Sequence, residues 1–93
     1  HQLAGIKANQ GEIDEAIALY TASMELEERI GNLQGKAVTL GTLGQLLAIR
    51  RDFTTALQYM HESLEILERL RSPEADKVRE IIVQIQKMAE GEW

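Results

Sequence analysis

The chain repeats its own sequence at an offset of forty residues, and no other feature limits its possible folds as strongly. Identical residues recur at that spacing in the pairs Leu3 and Leu43, Ala8 and Ala48, Ala16 and Ala56, Ser23 and Ser63, Glu25 and Glu65, Glu28 and Glu68, Arg29 and Arg69, and Val38 and Val78. A fixed period of this size is typical of helical repeat arrays, in which each unit buries its apolar face by stacking on its neighbours. The alternative is an unrelated five-helix bundle, but a bundle has no reason to repeat Ala-x6-Ser-x-Glu-x2-Glu-Arg.

Apolar residues recur every three or four positions along the chain, as they do on one face of an α-helix. Helix-breaking residues separate five such segments, which span roughly 1–10, 12–30, 34–50, 53–71 and 74–90. We expect Asp52 to cap the fourth helix, and Ser72 to cap the fifth with Pro73 in its first turn. Because the connections are short, the predicted fold class is all-α, with five helices packed as antiparallel hairpins.

Composition and charge exclude several classes of protein. The 93 residues include no cysteine, which rules out disulfides, thiolate metal sites and a cysteine nucleophile. The net charge is −5 and the basic residues are dispersed, so we predict no nucleic-acid partner and no binding to an anionic membrane. Nothing resembles a signal peptide or a membrane span, and a cytoplasmic location is therefore expected.

Candidate catalytic groups are few and scattered. His61 is the only internal histidine, and no acidic residue stands at a spacing that would orient it towards a nucleophile. The carboxylate pairs Glu27 with Glu28 and Glu62 with Glu65 fall on helix faces that we expect to be solvated. We therefore predict no enzymatic activity, no metal site and no cofactor.

The best-formed unit resembles a tetratricopeptide repeat, whose spacing is W-x2-L-G-x2-Y, then an alanine nine residues on, then x3-F. The corresponding residues here are Leu40, Leu43, Gly44, Leu47, Ala56 and Met60, with Ser63 at the place of a second small residue. Leucine and methionine replace the aromatics but keep their apolar character. The forty-residue length is similar to the longer repeats of kinesin light chains and of many bacterial signalling regulators.

The resemblance implies one domain over residues 1–93. It would comprise a partial repeat (1–33), a complete repeat (34–73) and a terminal capping helix (74–93). Gly44 and Ala56 would let the two helices of the complete repeat approach closely. A stripe formed by Leu40, Leu43 and Leu47 would pack against the second helix of that repeat.

Family members commonly bind peptides on the concave face, which is lined by the first helix of each repeat. The resemblance therefore assigns partner-binding positions to Val38, Thr42, Gln45, Ile49, Ile81, Ile85 and Met88. The Lys, Asn and Arg that hold a terminal carboxylate in chaperone-binding members are absent from these positions. We expect a protein or peptide partner of unknown identity, or a second copy of the chain.

The fifth segment departs from the pattern of the third. The stripe of Leu40, Leu43 and Leu47 becomes Glu80, Val83 and Lys87. The opposite arc of the fifth helix is apolar, which predicts a cap that is solvated on its outer side. That arc and Trp93 would either pack on the preceding repeat or stay exposed for a partner or a homodimer. The ending Gly91-Glu92-Trp93 matches Gly11-Glu12-Ile13 two periods earlier.

Our interpretation is a non-catalytic module for protein–protein interaction or assembly. The alternative is a regulatory or sensor segment of a larger signalling or transcriptional regulator, with its catalytic or DNA-binding part elsewhere.

Overall fold

The computed structural model describes residues 10–91, which contain four α-helices. They are α1 (Gln10–Ile30), α2 (Leu33–Ile49), α3 (Phe53–Arg69) and α4 (Glu74–Glu90). Each helix packs chiefly against its neighbours in sequence, as expected of a repeat array. The all-α prediction is confirmed with four helices rather than five within this range, because the predicted segment 1–10 lies almost wholly outside the described residues.

Hydrogen bonds to polar side chains mark where α2, α3 and α4 begin. The Asn32 side chain accepts a hydrogen bond from the Gly35 amide at 2.9 Å, and the Asp52 side chain accepts one from the Thr55 amide at 3.4 Å. The prediction for Asp52 is confirmed. The prediction for Ser72 is wrong by one residue: Pro73 is the capping position, and Ser72 Oγ instead accepts from the Glu74 amide at 3.2 Å.

The core centres on the contact between α2 and α3. Leu40, Leu43 and Leu47 are at most 6% exposed, and Ala56 and Met60 are fully buried. The predicted leucine stripe is therefore present.

Helices α2 and α3 approach each other closely at Gly44. A Cβ atom on Gly44 would overlap the Met60 side chain and lie 3.1 Å from the Ala56 carbonyl oxygen. About two turns earlier on α2, the Ala37 carbonyl accepts a hydrogen bond across the contact from Ser63 Oγ at 2.7 Å. Small residues at these positions are what allow the two backbones to come together.

The polarity of α4 follows the sequence prediction. Val78, Ile82 and Ile85 are buried on the side of the core, whereas Glu80 and Lys87 are exposed. Among the described residues, α4 packs mainly on α3 and has one solvated side.

Lys36 connects three helices. Its ammonium group lies 3.2 Å from Glu28 on α1 and 3.5 Å from Glu62 on α3, and its side chain is only 14% exposed. The hydrogen bond that Lys36 donates to Glu28, aided by the charges of both carboxylates, raises the pKa of Lys36 above its ordinary value of 10.5.

Two glycines of α2 provide a matched test of the packing. Gly44→Ala should lower the melting temperature, because overpacking costs about 1–3 kcal/mol and outweighs the helix-propensity gain of about 1 kcal/mol. Gly41→Ala should raise it, since a Cβ there meets only Ser63 Oγ at 3.8 Å. Thermal unfolding of both variants checks this, and shifts of the same sign would contradict the described helix register.

Lys36 should make stability depend on pH in the alkaline range. Its pKa is raised on folding, so its contribution is complete below the unfolded value of 10.5 and is lost as the pH rises through the folded value. Lys36→Met should therefore be less stable than the wild type at neutral pH. Because both partner carboxylates are largely exposed, the difference should be modest, about 0.2–1 kcal/mol for each ion pair.

The difference between wild type and Lys36→Met should shrink above about pH 10.5, as measured by denaturant unfolding across pH. Lys87→Met is the control, because Lys87 is exposed and forms no ion pair within residues 10–91. A gap between wild type and Lys36→Met that stays constant with pH would exclude the ion pairs as its cause.

Candidate partner-binding groove

A groove runs between α2 and α4 and has α3 as its base. It has a volume of about 230 Å³, and its lining residues are Ala37, Val38, Gly41, Thr42, Gln45, Met60, Ser63, Leu67, Glu74, Lys77, Val78 and Ile81. We call it the α2–α4 groove. It forms because α2 and α4 both pack on α3, and because Gly41 and Ser63 leave space between them.

The base of the α2–α4 groove is built around Gly41 and Ser63. Gly41 has no side chain to fill the space above Ser63, whose hydroxyl is already bonded to the Ala37 carbonyl. On the α2 wall, Val38 is 52% exposed, and on the α4 wall Ile81 is half-buried. A ligand in the groove would therefore meet an apolar side chain on each wall.

Polar groups of three kinds border this apolar channel. The Thr42 hydroxyl donates to the Val38 carbonyl at 3.1 Å, so its hydrogen is used within α2. The half-buried Gln45 carries an amide that can donate and accept. Glu74 and Lys77 add one negative and one positive charge at the N-terminal end of α4.

The seven partner-binding residues that the sequence predicted do not lie together in the structure. Val38, Thr42, Gln45 and Ile81 line the α2–α4 groove. Ile49 and Met88 lie together at a second site, described next. Ile85 is fully buried in the core, so the seven assigned residues do not form one continuous surface. Ile81 and Ile85 lie about one turn apart on α4, but their side chains point in somewhat different directions because four residues make slightly more than a full turn. Ile85 faces α3, whereas Ile81 reaches the groove.

The second site is a shallow pocket where the α2–α3 turn meets the end of α4. Its volume is about 290 Å³, and it is lined by Ala48, Ile49, Arg51, Phe53, Met88 and Gly91. We call it the helix-end pocket. Met88 is 37% exposed there, and Ile49 is half-buried.

Sequence reasoning missed the charged pair Glu74 and Lys77 at the groove. The repeat alignment could have located both residues, because each lies within about one helical turn of Val78. Val78 aligns with Val38, which was assigned to the binding face. It also misplaced Glu27, which is half-buried and accepts a hydrogen bond from Thr39 Oγ1 at 2.8 Å rather than lying on a solvated face. His61 is exposed, as expected of a surface histidine.

Within residues 10–91, no cluster of three or more His, Cys, Asp or Glu side chains is arranged to hold a metal ion. Over the same range, no helix combines the length and apolar character that crossing a membrane requires.

Comparison with known proteins agrees with this architecture. The family model described as tetratricopeptide repeat matches residues 1–80. No solved structure matches the chain significantly. The family match covers α1, α2 and α3 in full and the first part of α4, and the chain belongs to the tetratricopeptide repeat family.

Proposed function

We propose that the chain is a non-catalytic protein-interaction module that binds a protein or peptide in the α2–α4 groove. The observation that carries the proposal is Val38, an apolar residue that is 52% exposed beside a groove whose base is opened by Gly41. Leaving such a surface in water has a free-energy cost, and covering it with a partner recovers part of that cost. Membership of the tetratricopeptide repeat family, whose arrays serve as binding scaffolds, supports this role.

The lining indicates the chemistry of the partner. Val38 and Ile81 favour an apolar side chain, and the Gln45 amide can pair with a peptide backbone. Glu74 and Lys77 carry opposite charges, so the groove offers no net charge to select a strongly acidic or basic ligand. The alternative role, as a regulatory or sensor segment of a larger regulator, would use the same groove, and the binding test below applies to both.

Self-association is the second candidate function. Two copies could place their α2–α4 grooves against each other about a two-fold axis, because one patch then meets its own copy. Burying a large apolar side chain contributes about 1.5–3 kcal/mol, and two from each copy could offset an association cost in the lower part of the range of about 4–15 kcal/mol. Val38 and Ile81 are the residues that would meet there.

Peptide binding can be tested with a matched pair of valines. Peptides selected from a displayed random library against the 93-residue chain provide the probe, and fluorescence anisotropy measures their Kd. Val38→Glu should weaken binding about tenfold or more, because an unpaired carboxylate would be buried against the ligand. Gln45→Ala should weaken it less.

Val83→Glu is the control for Val38→Glu. Val83 is 47% exposed, similar to Val38, but it does not line the groove. It should leave the Kd unchanged. Equal losses in the two glutamate variants, or no selected peptide that is sensitive to Val38, would exclude the groove as the binding site.

Self-association predicts a dimer by light scattering after size exclusion, at high micromolar concentration of the wild type. Val38→Glu should shift the chain to monomer, whereas Val83→Glu should not. A wild type that is monomeric under these conditions would eliminate the dimer and leave the peptide-binding proposal intact.

A further inference from the structure

The helix-end pocket has an apolar lining that is partly open to solvent. Ile49, Phe53 and Met88 are the large apolar side chains that line it, and all three remain partly accessible. Within the described residues nothing covers this surface. The question is which group of the molecule could occupy it.

The end of the chain lies at the pocket itself. Gly91, the last described residue, is one of the lining residues, and only Glu92 stands between it and Trp93. Two extended residues span at most about 7 Å. The Trp93 side chain is therefore tethered within reach of Met88 and Phe53 without any long-range movement of the backbone.

The repeat register gives the same placement independently. Ile13, Phe53 and Trp93 are separated by forty residues each. Ile13 is 4% exposed, and Phe53 packs against the core cluster. Ile13 and Phe53 each direct an apolar side chain inwards. Trp93 is therefore expected in the corresponding position, beside Phe53.

The chemistry of the lining suits an indole ring. Aromatic pairs such as Trp with Phe53 prefer offset or edge-to-face contacts, and the Met88 thioether makes favourable contacts with aromatic edges. Arg51 also lines the pocket, and a guanidinium group can stack on the face of a tryptophan.

We propose that Trp93 docks into the helix-end pocket of its own chain and covers Ile49 and Met88. This intramolecular contact withdraws both residues from the partner-binding surface. Of the two sites, the α2–α4 groove, with Val38 and Ile81, then remains open to a partner.

Trp93 is the single tryptophan of the chain, so its fluorescence reports on this contact alone. In the 93-residue protein, the emission maximum should lie at shorter wavelength than in denaturant, and acrylamide should quench it several-fold less. Both properties should be independent of protein concentration. Emission like that of the denatured chain would overturn the proposal, and protection that is lost on dilution would assign the contact to a second copy instead.

Two glutamate substitutions on α4 locate the contact. Met88→Glu should return the emission and the quenching to solvent-exposed values, whereas Val83→Glu, which lies outside the pocket, should leave both unchanged. Circular dichroism establishes that each variant keeps its helices. If Met88→Glu loses helix, Ile49→Glu provides the same test from α2. Retained protection in a folded pocket variant would overturn the proposal.

Discussion

The close contact of α2 with α3 at Gly44 is the constraint on which the rest of the structure depends. A Cβ at that position would overlap Met60 and press against the Ala56 carbonyl oxygen. The two helices could then not keep their present separation. This separation lets Ser63 reach the Ala37 carbonyl and leaves Leu40 and Leu43 without exposed surface. The hydrogen bond and the leucine packing are both consequences of the same missing side chain.

The groove is a second consequence of the small residues on α2. Gly44 faces α3 at the close contact, while Gly41, about one turn earlier, borders open space above Ser63. The packing of α2 on α3 thus requires Gly44, whereas Gly41 leaves room that a Cβ could fill. Gly41 lowers helix propensity by about 1 kcal/mol without relieving any clash, which is consistent with the proposed role of the groove in binding.

The sequence predicted the core better than the surface, and the reason is physical. The forty-residue repeat and the leucine stripe specify which faces of α2 and α3 meet, because volume and polarity at a packed contact permit few alternatives. Ile85 was placed on the wrong side of α4, since an apolar arc as wide as that of α4 does not reveal which of its residues face the core. The hydrogen bond of Glu27 and the ion pairs of Lys36 join residues far apart in sequence, and only the folded arrangement brings them together.

The outer side of α4 lacks the residues with which α2 contacts α3. Gln84 stands where Gly44 would be required, and its side chain would occupy the space in which a second helix has to approach. Glu80 and Lys87 replace two of the leucines, and covering them without partners would cost far more than leaving them in water. The side of α4 that remains available for apolar contact is the one that faces α2 and α3, and both the α2–α4 groove and the helix-end pocket open along it.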